Sequence, residues 1–75
     1  MKDIDFLLNH IKEQIDRASK TIEIDIILND YYKKILLDNW DYISTEITNY
    51  VEYSNTIFYK LKKNEEGKNI LTISF

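Results

Sequence analysis

Residues 57–75 constrain the fold most, because there the turn and the strand register can be read together. The chain runs TIFYKLKK, then NEEGK, then NILTISF, and Gly67 is its only glycine. A type I turn over Glu65 and Glu66 makes Gly67 the left-handed residue of a three-residue hairpin loop, the position where glycine is least costly. That turn sets Leu61 against Leu71, Tyr59 against Ile73 and Ile57 against Phe75 on one face. Phe58 with Ser74, Lys60 with Thr72 and Lys62 with Ile70 fall on the other. The first face is wholly apolar, as a half-buried antiparallel ladder requires.

A chain of 75 residues has room for one domain and one small core. At this size only about 60% of the unfolded chain's surface is buried, so stability is marginal. Small domains compensate with disulfides, metals or self-association. Cysteine is absent, which removes disulfides, zinc–thiolate sites and thiol catalysis together. The single histidine, His10, cannot make a metal site without a cluster of carboxylates. Self-association remains, and a homodimer is expected.

The lack of cysteine fits a cytoplasmic protein. The N-terminus has no apolar run preceded by positive charge, so no signal peptide is expected. No stretch reaches the roughly 20 apolar residues that cross a bilayer, so the expected protein is soluble and has no membrane partner. A 44% hydrophobic and 13% aromatic composition indicates a folded chain.

The net charge of −3 is unevenly distributed. Residues 21–56 carry Glu23, Asp25, Asp30, Asp38, Asp41, Glu46 and Glu52 against Lys33 and Lys34, whereas residues 57–75 are net positive. This is not a nucleic-acid-binding balance for the whole chain. Heavy use of Ile, Lys, Asn and Tyr, with no proline, resembles AT-rich coding in a low-GC bacterium or its phages.

Ile4, Leu7, Leu8, Ile11, Ile15 and Ala18 form one helical stripe, predicting a helix over 4–19 with Asp3 as N-cap and Asp5 in its first turn. Phe6, His10, Glu13 and Arg17 share one flank. From Thr21 the period changes to the alternation of TIEIDIIL, a strand pattern. With Asn29-Asp30 as a turn, YYKKILL returns as a second strand. That register places Ile27, Tyr32, Lys34 and Leu36 on the outer side, with Asp25 opposite Lys34. The competing reading makes 20–37 a single helix.

Asp38 or Asn39 then caps a second helix whose inward stripe is Trp40, Ile43, Ile47, Tyr50, Val51 and Ser54, with Asn55 as its left-handed end. Residues 6–18 and 42–54 match at an offset of 36, and Thr21-Ile22 matches Thr56-Ile57 at 35. The expected fold is therefore α+β, a single domain over 1–75 in the order αββαββ. Two helix–hairpin repeats, about 3–37 and 38–75, would make a four-stranded antiparallel sheet with two helices on one face.

Catalytic patterns are missing. One glycine cannot make a phosphate-binding loop, and the only base, His10, lies a turn from Glu13, which reads as a surface contact. Glu23/Asp25 and Glu65/Glu66 read as solvated surface. No enzyme activity and no cofactor are expected.

The anomaly is the apolar content of the outer sheet side. Ile27, Tyr32, Leu36, Phe58 and Ile70 are interleaved there with Lys34, Lys60 and Lys62, which marks a partner-binding surface. A second candidate surface lies on the second helix, along Asp41, Tyr42, Glu46, Asn49, Glu52 and Tyr53, where acids can steer a basic partner. The plainer reading of that flank is a solvated helix face.

These features point to a small protein-binding domain, most simply an inhibitor or adaptor that blocks a partner protein. Its size and AT-rich usage suit a phage or mobile-element product that neutralises a toxin or a host defence. The alternative is a single-stranded nucleic-acid-binding protein, with Tyr32 and Phe58 stacking bases and the three lysines tracking phosphates.

Overall fold

A computed structural model describes residues 2–18, 22–51 and 56–75. The described elements run α1 (Lys2–Arg17), β1 (Glu23–Leu28), α2 (Asp30–Asp38), α3 (Trp40–Tyr50), β2 (Phe58–Lys63) and β3 (Asn69–Ser74).

The hairpin β2–β3 has the expected register, with Tyr59 opposite Ile73, Leu61 opposite Leu71 and Lys60 opposite Thr72. Gly67 takes φ 79°, and its N–H donates to the Asn64 carbonyl at 3.0 Å. The Asn64 side chain tightens the loop by accepting the N–H groups of Glu66 at 3.0 Å and Lys68 at 2.9 Å. A Cβ at position 67 would meet nothing within 4 Å. Glycine is needed there for its backbone angle and not for space.

The expected four-stranded sheet with two helices is wrong. The described architecture is α+β with three helices and a three-stranded antiparallel sheet of order β1-β3-β2. The error lies in 29–38, where α2 replaces the second strand, and a single helix over 20–37 is equally excluded by β1. Asn29 is an N-cap and not a turn residue. Its φ of −80° and ψ of 170° are extended, and its Oδ1 accepts the Tyr32 N–H at 2.8 Å. Asp30 adds negative charge to the first turn, which favours the helix. Packing decides the matter: on the helix Leu36 is fully buried, whereas the strand would have placed it on the outer side. The first half of the chain thus has no hairpin to match β2–β3.

β1 keeps the strand alternation of its sequence, with Ile24, Ile26 and Leu28 buried between exposed neighbours. It pairs with β3, setting Glu23 opposite Ser74, Asp25 opposite Thr72 and Ile27 opposite Ile70. The central strand β3 has no charge, while β1 carries Glu23 and Asp25 and β2 carries three lysines; its buried polar side chains, Asn69 and Thr72, donate to Asp30 and Asp25. Charged side chains suit strands whose outer edge stays open.

Leu7, Leu8, Ile11 and Ile15 of α1, Leu36 of α2, and Ile43 and Ile47 of α3 pack with Ile24, Ile26, Leu28, Leu71 and Ile73 in one core. All three helices therefore lie on the same side of the sheet. α1 begins before Asp3, so that residue is inside the first turn; its carboxylate accepts the Tyr31 hydroxyl and links α1 to α2. Tyr50 makes the equivalent link from α3, donating to Asp16 at 2.6 Å. Asn39 occupies the α3 N-cap position without capping it, since its side chain donates back to the Ile35 carbonyl at 2.9 Å. Asp38 is the last residue of α2. The predicted roles of Ser54 and Asn55 lie outside the described residues.

Candidate functional site

Among the described residues the helices cover one side of the sheet only, which leaves its other side open. The two ladders place nine side chains on it in three rows: Glu23–Ser74–Phe58, Asp25–Thr72–Lys60 and Ile27–Ile70–Lys62. Phe58 is 67% exposed and Ile27 is 60% exposed, so two large apolar groups stand at opposite corners of this face. Ile70 is half-buried between its neighbours. Thr72, at the centre, is only 7% exposed and donates its hydroxyl to Asp25 Oδ1 at 2.5 Å.

The face is electrically divided. Its acids come from β1 and its lysines from β2, with the uncharged β3 between them. Neighbouring strands are about 4.8 Å apart, so the two charged columns are separated by roughly 10 Å. Among the described residues the one ion pair is Lys68–Glu66 at 3.5 Å, so neither column neutralises the other and both are available to a partner.

Of the residues predicted for the outer surface, Phe58, Lys60, Lys62 and Ile70 do share this face. Tyr32, Lys34 and Leu36 do not, because α2 carries them to the other side of the sheet. Leu36 is core, and Lys34 is exposed on the helix. Tyr32 stacks on Phe6 with ring centroids 5.6 Å apart and meets Tyr31 edge-on at 5.2 Å. The sequence places Asp25 and Glu23 on this outer side too, opposite Lys34 and beside Leu36, but they were not counted in the partner-binding surface. Their alternation with buried isoleucines is what puts them opposite the core side.

The second candidate surface is partly visible. Asp41, Tyr42 and Asn49 are exposed along α3 and Glu46 is half-buried, while Glu52 and Tyr53 lie outside the described residues. On the inner side of β2, Tyr59 packs against Trp40 with centroids 3.9 Å apart. His10 is half-buried and lines a groove of about 210 Å³ with Phe6, Tyr32 and Ile27.

Among the described residues, two phenols outside the open face are held in the neutral form by a neighbouring carboxylate. Hydrogen bonding to Asp3 raises Tyr31 above the ordinary phenol range, and hydrogen bonding to Asp16 does the same for Tyr50. In each case the carboxylate favours the neutral, donating phenol. Among the described residues, no three His, Cys, Asp or Glu side chains converge to hold a metal ion. No helix among them is long and apolar enough to cross a membrane. No family model, curated protein or solved structure matches the chain.

Proposed function

We propose that this chain is a small, non-enzymatic protein-binding domain that docks protein across the open face of its sheet. The observation that carries this reading is the pairing of exposed Phe58 and Ile27 with unneutralised charge on a face no helix covers. Aromatic and aliphatic anchors ringed by charge are the usual composition of such a surface. A domain this small acts most simply by occupying its partner's surface, as an inhibitor or adaptor. A cytoplasmic role against a toxin or host-defence protein, in a low-GC bacterium or its phage, fits the size and residue usage. Self-association fits the marginal core.

Protein is favoured over single-stranded nucleic acid by the acids. Glu23 and Asp25 would repel a phosphate chain laid over the face, and Phe58 is its one aromatic side chain. The test is a comparison of captured partners from the native host using the wild-type chain, Phe58→Ser/Ile27→Ser and Tyr42→Ser. The expected result is a folded sheet variant that loses the bound protein, with Tyr42→Ser keeping it. An unchanged set of bound proteins with the sheet variant would overturn the proposal.

A further inference from the structure

The open face has a symmetry that names its best partner. We infer that it binds a second copy of this chain, face to face, about a two-fold axis running along β3. This rests on the reading of the face as a protein-docking surface and identifies what docks there.

Two identical sheets can be related by a two-fold axis in three principal directions. An axis perpendicular to the sheet joins edge to edge and sets β1 beside β1, or β2 beside β2. An axis in the plane of the interface but across the strands stacks β1 on β1 and β2 on β2. Both arrangements set acids against acids or lysines against lysines, which costs affinity. An axis along β3 instead exchanges the two sides of the sheet, because β3 is central in the order β1-β3-β2.

β1 then lies over β2 of the second copy, and β2 over its β1. Both edge strands run antiparallel to β3, so they run parallel to each other and the rows stay in register. Asp25, Thr72 and Lys60 share one row, so Asp25 of each copy faces Lys60 of the other. In the next row Lys62 lies over Ile27, where its methylene stem covers apolar surface while its ammonium stays wet. Ile70 meets Ile70 at the axis. In the remaining row Glu23 lies over Phe58, and the Asp25–Lys60 pair forms twice, once on each side of the axis, as an isologous interface requires.

The face measures roughly 14 Å by 20 Å from strand spacing and rise. That is well below the ~800 Å² per partner of a standard interface, so a weak dimer that forms only at high protein concentration is expected. A head-to-tail contact between a β1 edge and a β2 edge would also match opposite charges, but it would be parallel and open-ended.

The experiment uses two charge variants of the 75-residue chain, Lys60→Glu/Lys62→Glu and Glu23→Lys/Asp25→Lys. Sedimentation equilibrium reads association, and circular dichroism reads folding. The wild type is expected to dimerise, with affinity falling as salt rises. Each variant alone should bind itself at least about tenfold more weakly, and an equimolar mixture should recover a heterodimer. If Asp25→Lys unfolds the sheet by losing its Thr72 bond, Asp25→Asn, which keeps an oxygen to accept that bond, takes its place and should by itself weaken self-association. A wild type that is monomeric at about 1 mM, a mixture that fails to associate, or assemblies larger than a dimer would each overturn the inference. A monomeric wild type that still loses a foreign protein on Phe58→Ser/Ile27→Ser would sink the dimer and leave the docking face standing.

Discussion

Asn29 and Asn64 each follow the last residue of a strand, and the chain leaves them in opposite ways. At Asn64 the backbone carbonyl accepts the N–H three residues on, from Gly67, and the chain turns back as a hairpin. At Asn29 it accepts the N–H four residues on, from Lys33 at 2.9 Å, and the chain goes forward as a helix. Both side chains serve nearby N–H groups, so asparagine favours a change of direction without choosing which one. The choice is made downstream. Gly67 supplies a positive φ that closes a loop, whereas Asp30-Tyr31-Tyr32 supplies an acid and then a helical run that buries Leu36.

The largest expected effect tests the helical exit. Leu36→Ala should destabilise the fold by about 2–5 kcal/mol, since it removes a fully buried side chain from a small core. Urea unfolding followed by circular dichroism measures it. A cost of only a few tenths of a kcal/mol would mean that position 36 sits on a surface strand after all.

The hairpin exit is tested next. Gly67→Ala should cost about 1–2 kcal/mol, because alanine must hold a left-handed angle in otherwise open space. Gly67→Asn should lose less, since asparagine tolerates that region better. If both replacements left the unfolding midpoint unchanged, the glycine would not be what distinguishes the two exits.

The contrast also explains what could be read from residues alone. The β2–β3 register was legible because a turn signal and an alternating pattern agree there and concern adjacent residues. The apolar stripe of α1, the alternation of β1 and the Ile43, Ile47 and Val51 positions of the predicted second helix were legible for the same local reason, although Tyr50, expected inward, is exposed. The pairing of β1 with β3 was not, because those residues are nearly fifty positions apart and no local rule selects the partner. The capping role of Asn29 was within reach, since Asn-Asp before Tyr32, Ile35 and Leu36 is a helix start as well as a weak turn. Misreading it moved Tyr32, Lys34 and Leu36 onto the open face and gave Asp25 and Glu23 the wrong neighbours there, Lys34 and Leu36 in place of Thr72 and Ser74. The β2–β3 part of the face was legible through Phe58, Lys60, Lys62 and Ile70, whose register was already set, and the alternation of β1 put Ile27, Asp25 and Glu23 on the same outer side.

The smallest effect comes from alkaline titration, and it sharpens the same contrast because Tyr31 meets Asp3 only if residue 31 is helical. Tyr31 has its folded pKa raised above the unfolded value of about 10 by its hydrogen bond to Asp3. A raised pKa means the folded state holds the proton more tightly. The contribution to stability is therefore complete below pH ~10 and is lost as pH rises through the folded value. Tyr31→Phe removes the donor, so the variant should be slightly less stable than wild type at neutral pH, and the difference should close on the alkaline side. Tyr50→Phe, which breaks the Asp16 bond from α3, should behave in the same way. Both phenols are exposed and screened by solvent, so each change is small and needs wild type and variant melted side by side from pH 7 to 11. If Tyr31→Phe tracked wild type across that range while Tyr50→Phe did not, α1 would be tied to α3 but not to α2, and the helical exit at Asn29 would lose its tether to the first helix.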